Sequence, residues 1–369
     1  MNKICVYAIC KNEASFVDKW LDSMSEADYI VVLDTGSEDN TYELLKKDKR
    51  VYRVEQKTIT PWRFDVARNE SLKLVPEDAN ILLCTDLDEI LEPGWAKAIK
   101  ENWIEDFHVR GWYKYAWSHT ESGEPGRIFY YDKLHDRNWK WFAPVHEMLK
   151  SDVYNEEYVH THTLNLFDKV YLHHYPDYSK SRNSYLPLLE QRAKEDPNDY
   201  YGKYYLAHEY FYRGKYNESI NTLQEILIEE RYSSKLTVLE KAACYLFLGD
   251  SYRAKNKPDK AIYYYNLAIK TEPSYREPYL YAAEIFNERQ MYNIAIGYVE
   301  DALKNSYRHY NWLERDDSWR EKPYDILAVS YYYRGDKELG YNYAVEALTL
   351  NPTDTRLIYN EDIIRKNLT

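Results

Sequence analysis

Short apolar runs alternate with amphipathic stretches through the first half of the chain. Ile4–Cys10, Tyr29–Leu33, Arg50–Val54 and Ile81–Thr85 read as strands buried in a sheet. Between them, helical spacing of apolar positions predicts helices near Phe16–Ser25, Thr41–Lys47, Phe64–Leu74 and Pro93–Trp103. Strand and helix in alternation imply right-handed βαβ units, a parallel sheet, and ligands at the carboxyl ends of its strands. Beyond Phe107 the pattern turns strand-like and aromatic around His108–Trp117, Arg127–Asp132 and Lys169–His174, which predicts mixed strands that extend the sheet.

From about Ser179 onward the period becomes helical and self-similar. Leu206, Ala207, Tyr210, Gly214, Tyr216 and Ile220 set a pattern that recurs at Tyr245, Leu248, Gly249, Asn256, Ala261 and Ile262. A third copy runs through Tyr281, Ala282, Gln290, Ala295 and Ile296, and a fourth through Ala328, Tyr332, Gly335 and Tyr341. The turn positions Asn256 and Gln290 stand 34 residues apart, the tetratricopeptide period. The longer intervals on either side place insertions near Ser233–Thr237 and Arg308–Asp317, and Pro273 and Pro352 then fall at equivalent positions after a helix. This half resembles a tetratricopeptide array. Two domains are therefore expected, residues 1–178 and 179–369.

Composition removes several classes. Apolar residues make up 44% of the 369 positions, too many for a disordered chain. The formal net charge of -12 repels a phosphate backbone, so a nucleic-acid-coating role is disfavoured. No stretch approaches the roughly 18 consecutive apolar residues of a membrane span, and the polar Lys11-Asn12-Glu13 after the first apolar run does not suit a signal peptide. Cys5, Cys10, Cys84 and Cys244 lie in apolar runs with no Cys-x-x-Cys spacing, which reads as buried reduced thiols and a cytoplasmic protein.

Acidic residues supply the candidate chemistry. Asp34-Thr35-Gly36-Ser37 after a strand has the form of an aspartic protease motif, but that chemistry needs two such aspartates and no second copy occurs. At the carboxyl end of a parallel strand, Asp34 can instead accept hydrogen bonds from a nucleobase or ribose, with Gly36 permitting close approach. Asp86 and Asp88 follow the strand Ile81–Thr85. Alternation puts both carboxylates on one side of an extended backbone, where they can converge on a divalent cation. The bland reading is a solvated turn, with Glu89 and Glu92 opening the next helix.

Taken together, Lys11-Asn12-Glu13, Asp34 to Thr41, Ala67-Arg68-Asn69, Asp86-Leu87-Asp88 and Val145-His146-Glu147 resemble a family 2 glycosyltransferase of the α/β GT-A fold, with its Rossmann-like, mostly parallel sheet. With the all-α repeats, the resemblance is to the bacterial branch that carries C-terminal tetratricopeptide repeats. It implies a metal-dependent, inverting transfer of sugar from a nucleotide-diphosphate donor, with UDP favoured, to a peptide, glycan or lipid-linked acceptor. By that resemblance Asn12, Glu13, Asp34, Arg68, Asn69 and Asp86 surround the nucleotide, and Asp86, Asp88 and a late histidine hold Mn²⁺ or Mg²⁺. His174 is taken as that histidine, with His173 the neighbouring alternative. Glu147 falls where inverting members carry the general base.

Eight histidines between His108 and His174 suggest one wet polar site, and His160 and His162, read as sharing a strand face, leave zinc as a minor option. Trp112, Tyr115, Trp117, Trp139, Trp141 and Phe142 suit either a sugar platform or core packing. The tyrosines of the array either fill helix contacts or line a concave surface for a peptide or glycan. Two competing functions remain: a non-catalytic tetratricopeptide scaffold with a degenerate nucleotide-binding domain, and a nucleotidyltransferase that would release pyrophosphate. The repeats could hold an acceptor or join two copies in a homodimer.

Overall fold

A computed structural model of the protein describes residues 2–120, 123–178, 180 and 182–368. Ser179, where the sequence places the domain boundary, lies outside the described residues. The chain divides into two compact units, Met1–Arg192 and Ala193–Thr369.

The first unit contains β1 Ile4–Cys10, α1 Val17–Met24, β2 Tyr29–Asp34, α2 Thr41–Lys47, β3 Arg53–Gln56, α3 Phe64–Leu72, β4 Ile81–Thr85, β5 Glu89–Leu91, α4 Trp95–Asn102, β6 Arg110–Ala116, β7 Ile128–His135, β8 Lys140–Phe142, β9 Met148–Lys150, α5 Glu156–Thr161, β10 Thr163–Asn165 and β11 Tyr171–His174. Helix α6, Tyr185–Glu195, begins in this unit. Nine of these strands form one sheet in the order β3-β2-β1-β4-β7-β6-β11-β5, with β10 beside β6, and β8 and β9 form a separate hairpin. β1 to β4 are mutually parallel, β7 runs against them, and β6 and β11 run with them again. The carboxyl ends of β1, β2, β4, β6 and β11 therefore share one edge. Strand order reverses between β1 and β4, which opens a crevice at that edge.

β1 is buried along its whole length because both sheet faces are covered. Ile4, Val6, Ala8 and Cys10 join Trp20, Leu21, Trp95 and Ile99 of α1 and α4. Cys5, Tyr7 and Ile9 point the other way, into a core with Ala67 of α3 and Trp139, Trp141 and Leu149 around the β8–β9 hairpin. Period-two alternation thus splits one apolar run between two cores. Trp139 and Trp141, candidates for a sugar platform, belong to this packing, and Tyr115 is buried as well.

Several sequence readings are corrected. Arg50 and Val51 lie outside β3, which starts at Arg53. Glu89, read as opening a helix, sits in β5, a three-residue strand too short to show alternation. His160 and His162 share no strand, since α5 occupies Glu156–Thr161. The histidines do not gather into one wet site: His162 stacks on Tyr158, His119 on Tyr175, and His135 is wholly buried.

The second unit is helical: α7 Tyr200–Tyr212, α8 Tyr216–Ile228, α9 Glu230–Ser233, α10 Val238–Ala254, α11 Pro258–Thr271, α12 Glu277–Glu288, α13 Tyr292–Lys304, a 3₁₀ turn Asp316–Trp319, α14 Lys322–Arg334, α15 Lys337–Leu350 and α16 Thr355–Lys366. Four hairpins, α7/α8, α10/α11, α12/α13 and α14/α15, repeat along it. Gly214, Asn256, Gln290 and Gly335, the turn positions read from sequence, all have positive φ and join the paired helices. That shared left-handed residue lets a helix end and its partner return antiparallel. α9 and the 305–321 segment are the two insertions.

His135 supplies a pH test of the first unit. Trp141 Nε1 donates to Tyr7 Oη at 2.9 Å, Tyr7 Oη lies 2.6 Å from His135 Nε2, and His135 Nδ1 faces the Asp136 carbonyl. The neutral ring satisfies all of this by donating from Nδ1 and accepting at Nε2. Burial lowers its pKa to about 3, against about 6.5 when unfolded. The unfolded chain binds a proton the fold refuses, so this contribution is complete above about pH 6.5 and drains away as pH falls toward 3. The melting temperature of the first unit should fall between about pH 7 and pH 5, and His135→Gln should flatten that slope in thermal scans.

Candidate active site

Three loops at the shared edge are tied together by their own polar groups. Asp34, wholly buried at the end of β2, accepts the N–H groups of Gly36 (2.8 Å) and Ser37 (2.7 Å) and the Gln56 amide (3.1 Å) on Oδ1. Gly36 has φ +109°, a conformation glycine adopts without strain. Asn12 bridges from β1: its N–H donates to Ser37 Oγ at 2.8 Å and its Oδ1 accepts from Glu38 N at 2.7 Å. Asp34 and Asn12, expected at the nucleotide, bond the 34–38 loop here.

Beneath these loops lies a buried charge network. Arg68 of α3 is only 3% exposed. Its Nη2 reaches both oxygens of Asp86 at 3.0 and 3.1 Å, its Nε donates to Glu147, and its Nη1 meets Cys84 Sγ at 3.1 Å. A surface ion pair within α3, the ordinary expectation for an arginine there, is thereby replaced. Lys133 of β7, which sequence reasoning missed, donates to Asp86 Oδ2 at 3.2 Å. Burial alone would raise the pKa of Asp86, but Arg68 and Lys133 outweigh it and push the carboxyl far below its usual range. Burial likewise opposes the charge of Glu147, yet Arg68 and Lys133 hold its pKa down, so it is a carboxylate at neutral pH. Glu89, the other missed residue, accepts the Asp86 N–H at 2.9 Å and Tyr115 Oη–H at 3.0 Å. Its pKa rises through burial. Neither residue carries a sequence signal: a lysine amid Tyr-Tyr-Asp-Lys-Leu-His and a glutamate in an acidic run both read as surface.

The loop bearing Glu147 is held in an uncommon conformation. Ala143 and His146 have φ +84° and +48°. Arg192 Nη1 donates to the carbonyls of Val145 (3.0 Å) and His146 (2.8 Å), and Phe64 N–H donates to that of Pro144 at 3.0 Å. These clamps offset the backbone strain. Asn69, expected beside the nucleotide, is a scaffold residue here: both ends of its amide bond the backbone of Trp141, at 2.8 and 2.9 Å.

Asp88 has a different partner from Asp86. His174, at the end of β11, brings Nε2 within 3.3 Å of Asp88 Oδ2, while its Nδ1 lies 3.0 Å from the Trp117 carbonyl. His173 points elsewhere, to Glu92 and His119. Burial works against a charged His174, but the hydrogen bond and charge of Asp88 raise its pKa overall. Among the described residues no three His, Cys, Asp or Glu side chains form a ready cation cage. Asp88 and His174 nevertheless fit as two ligands of a cation completed by substrate oxygens and water, the usual state of Mg²⁺ at phosphates. Nδ1–H on a carbonyl leaves Nε2 to carry a proton or meet a metal. Asp86 has both oxygens on Arg68 and Lys133.

Glu13 completes the rim. Its N–H donates to Thr41 Oγ1 at 2.7 Å, its Oε1 pairs with Lys180, and its Oε2 is buried with no hydrogen-bond partner. Burial, reinforced by the charges of Asp88 and Asp86, raises its pKa to about 7 despite Lys180.

With this geometry in view, residues 5–173 match the family model described as Glycosyl transferase family 2. The first unit is thus a family 2 glycosyltransferase domain of GT-A type, and the chain continues into a tetratricopeptide-like helical array. Solved structures are similar over about half the chain. A crystal structure of MamA shares 17% identity over 49% of this chain and 99% of its own, with a TM-score of 0.37. A thermophilic tetratricopeptide protein of Thermus thermophilus shares 17% identity over 49% of this chain and 89% of its own, TM-score 0.34. MamA of Desulfovibrio magneticus shares 12% identity over 45% and 84%, TM-score 0.37. No curated protein sequence matches the chain.

Arg68 is the cation shared by both carboxylates. Arg68→Met leaves the largely buried Glu147 and the partly exposed Asp86 without their shared cation and should destabilise the first unit by about 2 kcal/mol. Chemical denaturation checks this, and adding Asp86→Asn should recover part of the loss.

Proposed function

We propose that the first unit is a metal-dependent, inverting glycosyltransferase that takes a nucleotide-diphosphate sugar, with UDP the favoured nucleotide. The observation that carries this reading is the meeting of Asp86, Asp88, Glu147 and His174, from separate segments, at the edge where the sheet order reverses. Three carboxylates and an imidazole linked through Arg68 and the Asp88–His174 pair suit a diphosphate donor better than a scaffold. Asp34 and Asn12 act by ordering the loop that receives the nucleoside. Asp86, fixed by Arg68 and Lys133 yet a third exposed, would take a ribose hydroxyl on its remaining lone pairs. Asp88 and His174 would hold Mn²⁺ or Mg²⁺, which when bound supplies positive charge against the departing diphosphate.

Glu147 is assigned as the base that takes the acceptor proton. The Arg68 contact keeps it ionised and oriented but also lowers its basicity, so proton removal runs late, as the attacking oxygen bonds to the anomeric carbon. The acceptor is a peptide, a glycan or a lipid-linked saccharide. Among the described residues no helix is long and apolar enough to cross a membrane. Four buried, unpaired cysteines fit a reducing compartment such as the cytoplasm.

Titration of UDP into the full chain, with and without Mn²⁺, and product analysis over a panel of UDP-sugars test this directly. Binding should need the metal, and UDP rather than pyrophosphate should be released. Asp88→Ala should abolish transfer while leaving the melting temperature near wild type; full turnover in that folded variant rejects the metal assignment. Glu147→Gln should cut turnover by about 100-fold or more with much less effect on UDP affinity, and transfer at the wild-type rate would assign the base elsewhere.

A further inference from the structure

Helix α6 meets the Glu147 loop at two points. Arg192 donates to the Val145 and His146 carbonyls at 3.0 and 2.8 Å. At the start of the helix, two turns earlier, the Tyr185 ring meets the His146 imidazole edge-on with centroids 5.7 Å apart, and the Phe64 ring edge-on at 6.1 Å. Phe64 is tied to the same loop, its N–H donating to the Pro144 carbonyl at 3.0 Å. Tyr185 thus packs against the residue next to Glu147, and both of the rings it touches are anchored.

The ring is packed, but the hydroxyl is unused. Tyr185 is half-buried, and among the described residues nothing hydrogen-bonds its Oη. Other tyrosines of this unit differ: Tyr7 Oη lies between Trp141 and His135, and Tyr115 Oη donates to Glu89. Burial raises the pKa of the Tyr185 phenol, Arg182 and Arg68 oppose that rise, and Glu147 and Asp86 add to it. At neutral pH the group is therefore an intact hydroxyl, able both to donate and to accept. Electrostatic influence falls off with distance, so Tyr185 shares its surroundings with Asp86 as well as with Glu147.

We propose that Tyr185 is a specificity-determining residue, its Oη bonding a ring hydroxyl of the hexose that the nucleotide-diphosphate donor carries. This rests on the sugar-transfer reading, in which Asp86 takes the ribose and Glu147 the acceptor proton. The transferred sugar then lies between the two, because the acceptor oxygen attacks its anomeric carbon beside the base. A phenol in reach of both carboxylates meets that sugar. Trp139 and Trp141 cannot serve it, being packed in the core. A site that bonds a substrate hydroxyl rejects a sugar that lacks it or turns it the other way.

Calorimetric titration of the full chain with Mn²⁺ present, using UDP and then UDP-glucose, UDP-galactose and UDP-N-acetylglucosamine, tests it. For the UDP-sugar bound best, Tyr185→Phe should lower the ratio of its affinity to that of UDP by about tenfold, while leaving UDP itself within about twofold. Phenylalanine keeps the ring contacts with His146 and Phe64, so the melting temperature should stay near wild type. Among deoxy analogues of that donor, the one without the bonded hydroxyl should show the same loss on the wild type and no further loss on Tyr185→Phe. An unchanged ratio, or equal losses for UDP and every UDP-sugar, would overturn the assignment of Tyr185 and leave sugar transfer intact. Failure of the wild-type chain to bind UDP or any of these donors would instead remove the reading on which it rests.

Discussion

The candidate active site depends on one buried guanidinium. Arg68 lies beneath the sheet edge with Asp86 on one side and Glu147 on the other, and its guanidinium carbon rests 5.2 Å from the centre of the Trp141 ring. A planar cation with several donors can satisfy two carboxylates that arrive from different segments, which the point charge of a lysine would do less specifically. Lys133 adds the second positive charge that Asp86 needs once it leaves water. Without these two cations the carboxylates would repel one another and protonate, and the loops that carry them would separate.

The surrounding scaffold serves that arrangement. Asn69 fastens the β8–β9 hairpin to α3, one residue from Arg68. Arg192 clamps the strained turn before Glu147. On the other side, Asp34 and Asn12 turn two loops into a single rim. Asp88 and His174 meet each other and no buried cation, while Asp86 is held by Arg68 and Lys133. The site therefore separates groups that fix geometry from groups that meet substrate, a division expected of a preorganised centre.

The array shows a parallel economy. Tyrosines at Tyr204, Tyr265 and Tyr275 are buried in helix contacts, as core packing expects, yet the face lined by Tyr205 and Tyr281 is covered by the inserted Trp312 and Arg315. Sequence placed the insertion but could not show that it folds inward, because a loop of mixed aromatic and charged residues reads equally as a surface excursion. The same limit applied to Lys133 and Glu89, whose burial depends on partners at Asp86 and Tyr115 far along the chain.

Features with a local cause are legible along the chain. Apolar runs made β1, β2 and β4, and loop motifs put Asp34, Asp86 and Asp88 at their carboxyl ends. The 34-residue period and its turn residues marked the helix pairs, since each repeat must end one helix in a left-handed residue before starting the next. Tertiary structure decided the rest: that His174 and not His173 meets Asp88, that Asn69 holds a hairpin, that Asp34 spends its oxygens on its own loop, and that Arg68 is shared. Side-chain direction at a strand end and the assignment of a hydrogen bond are set by competition among neighbours brought together only when the sheet closes, so no pattern along the chain can encode them.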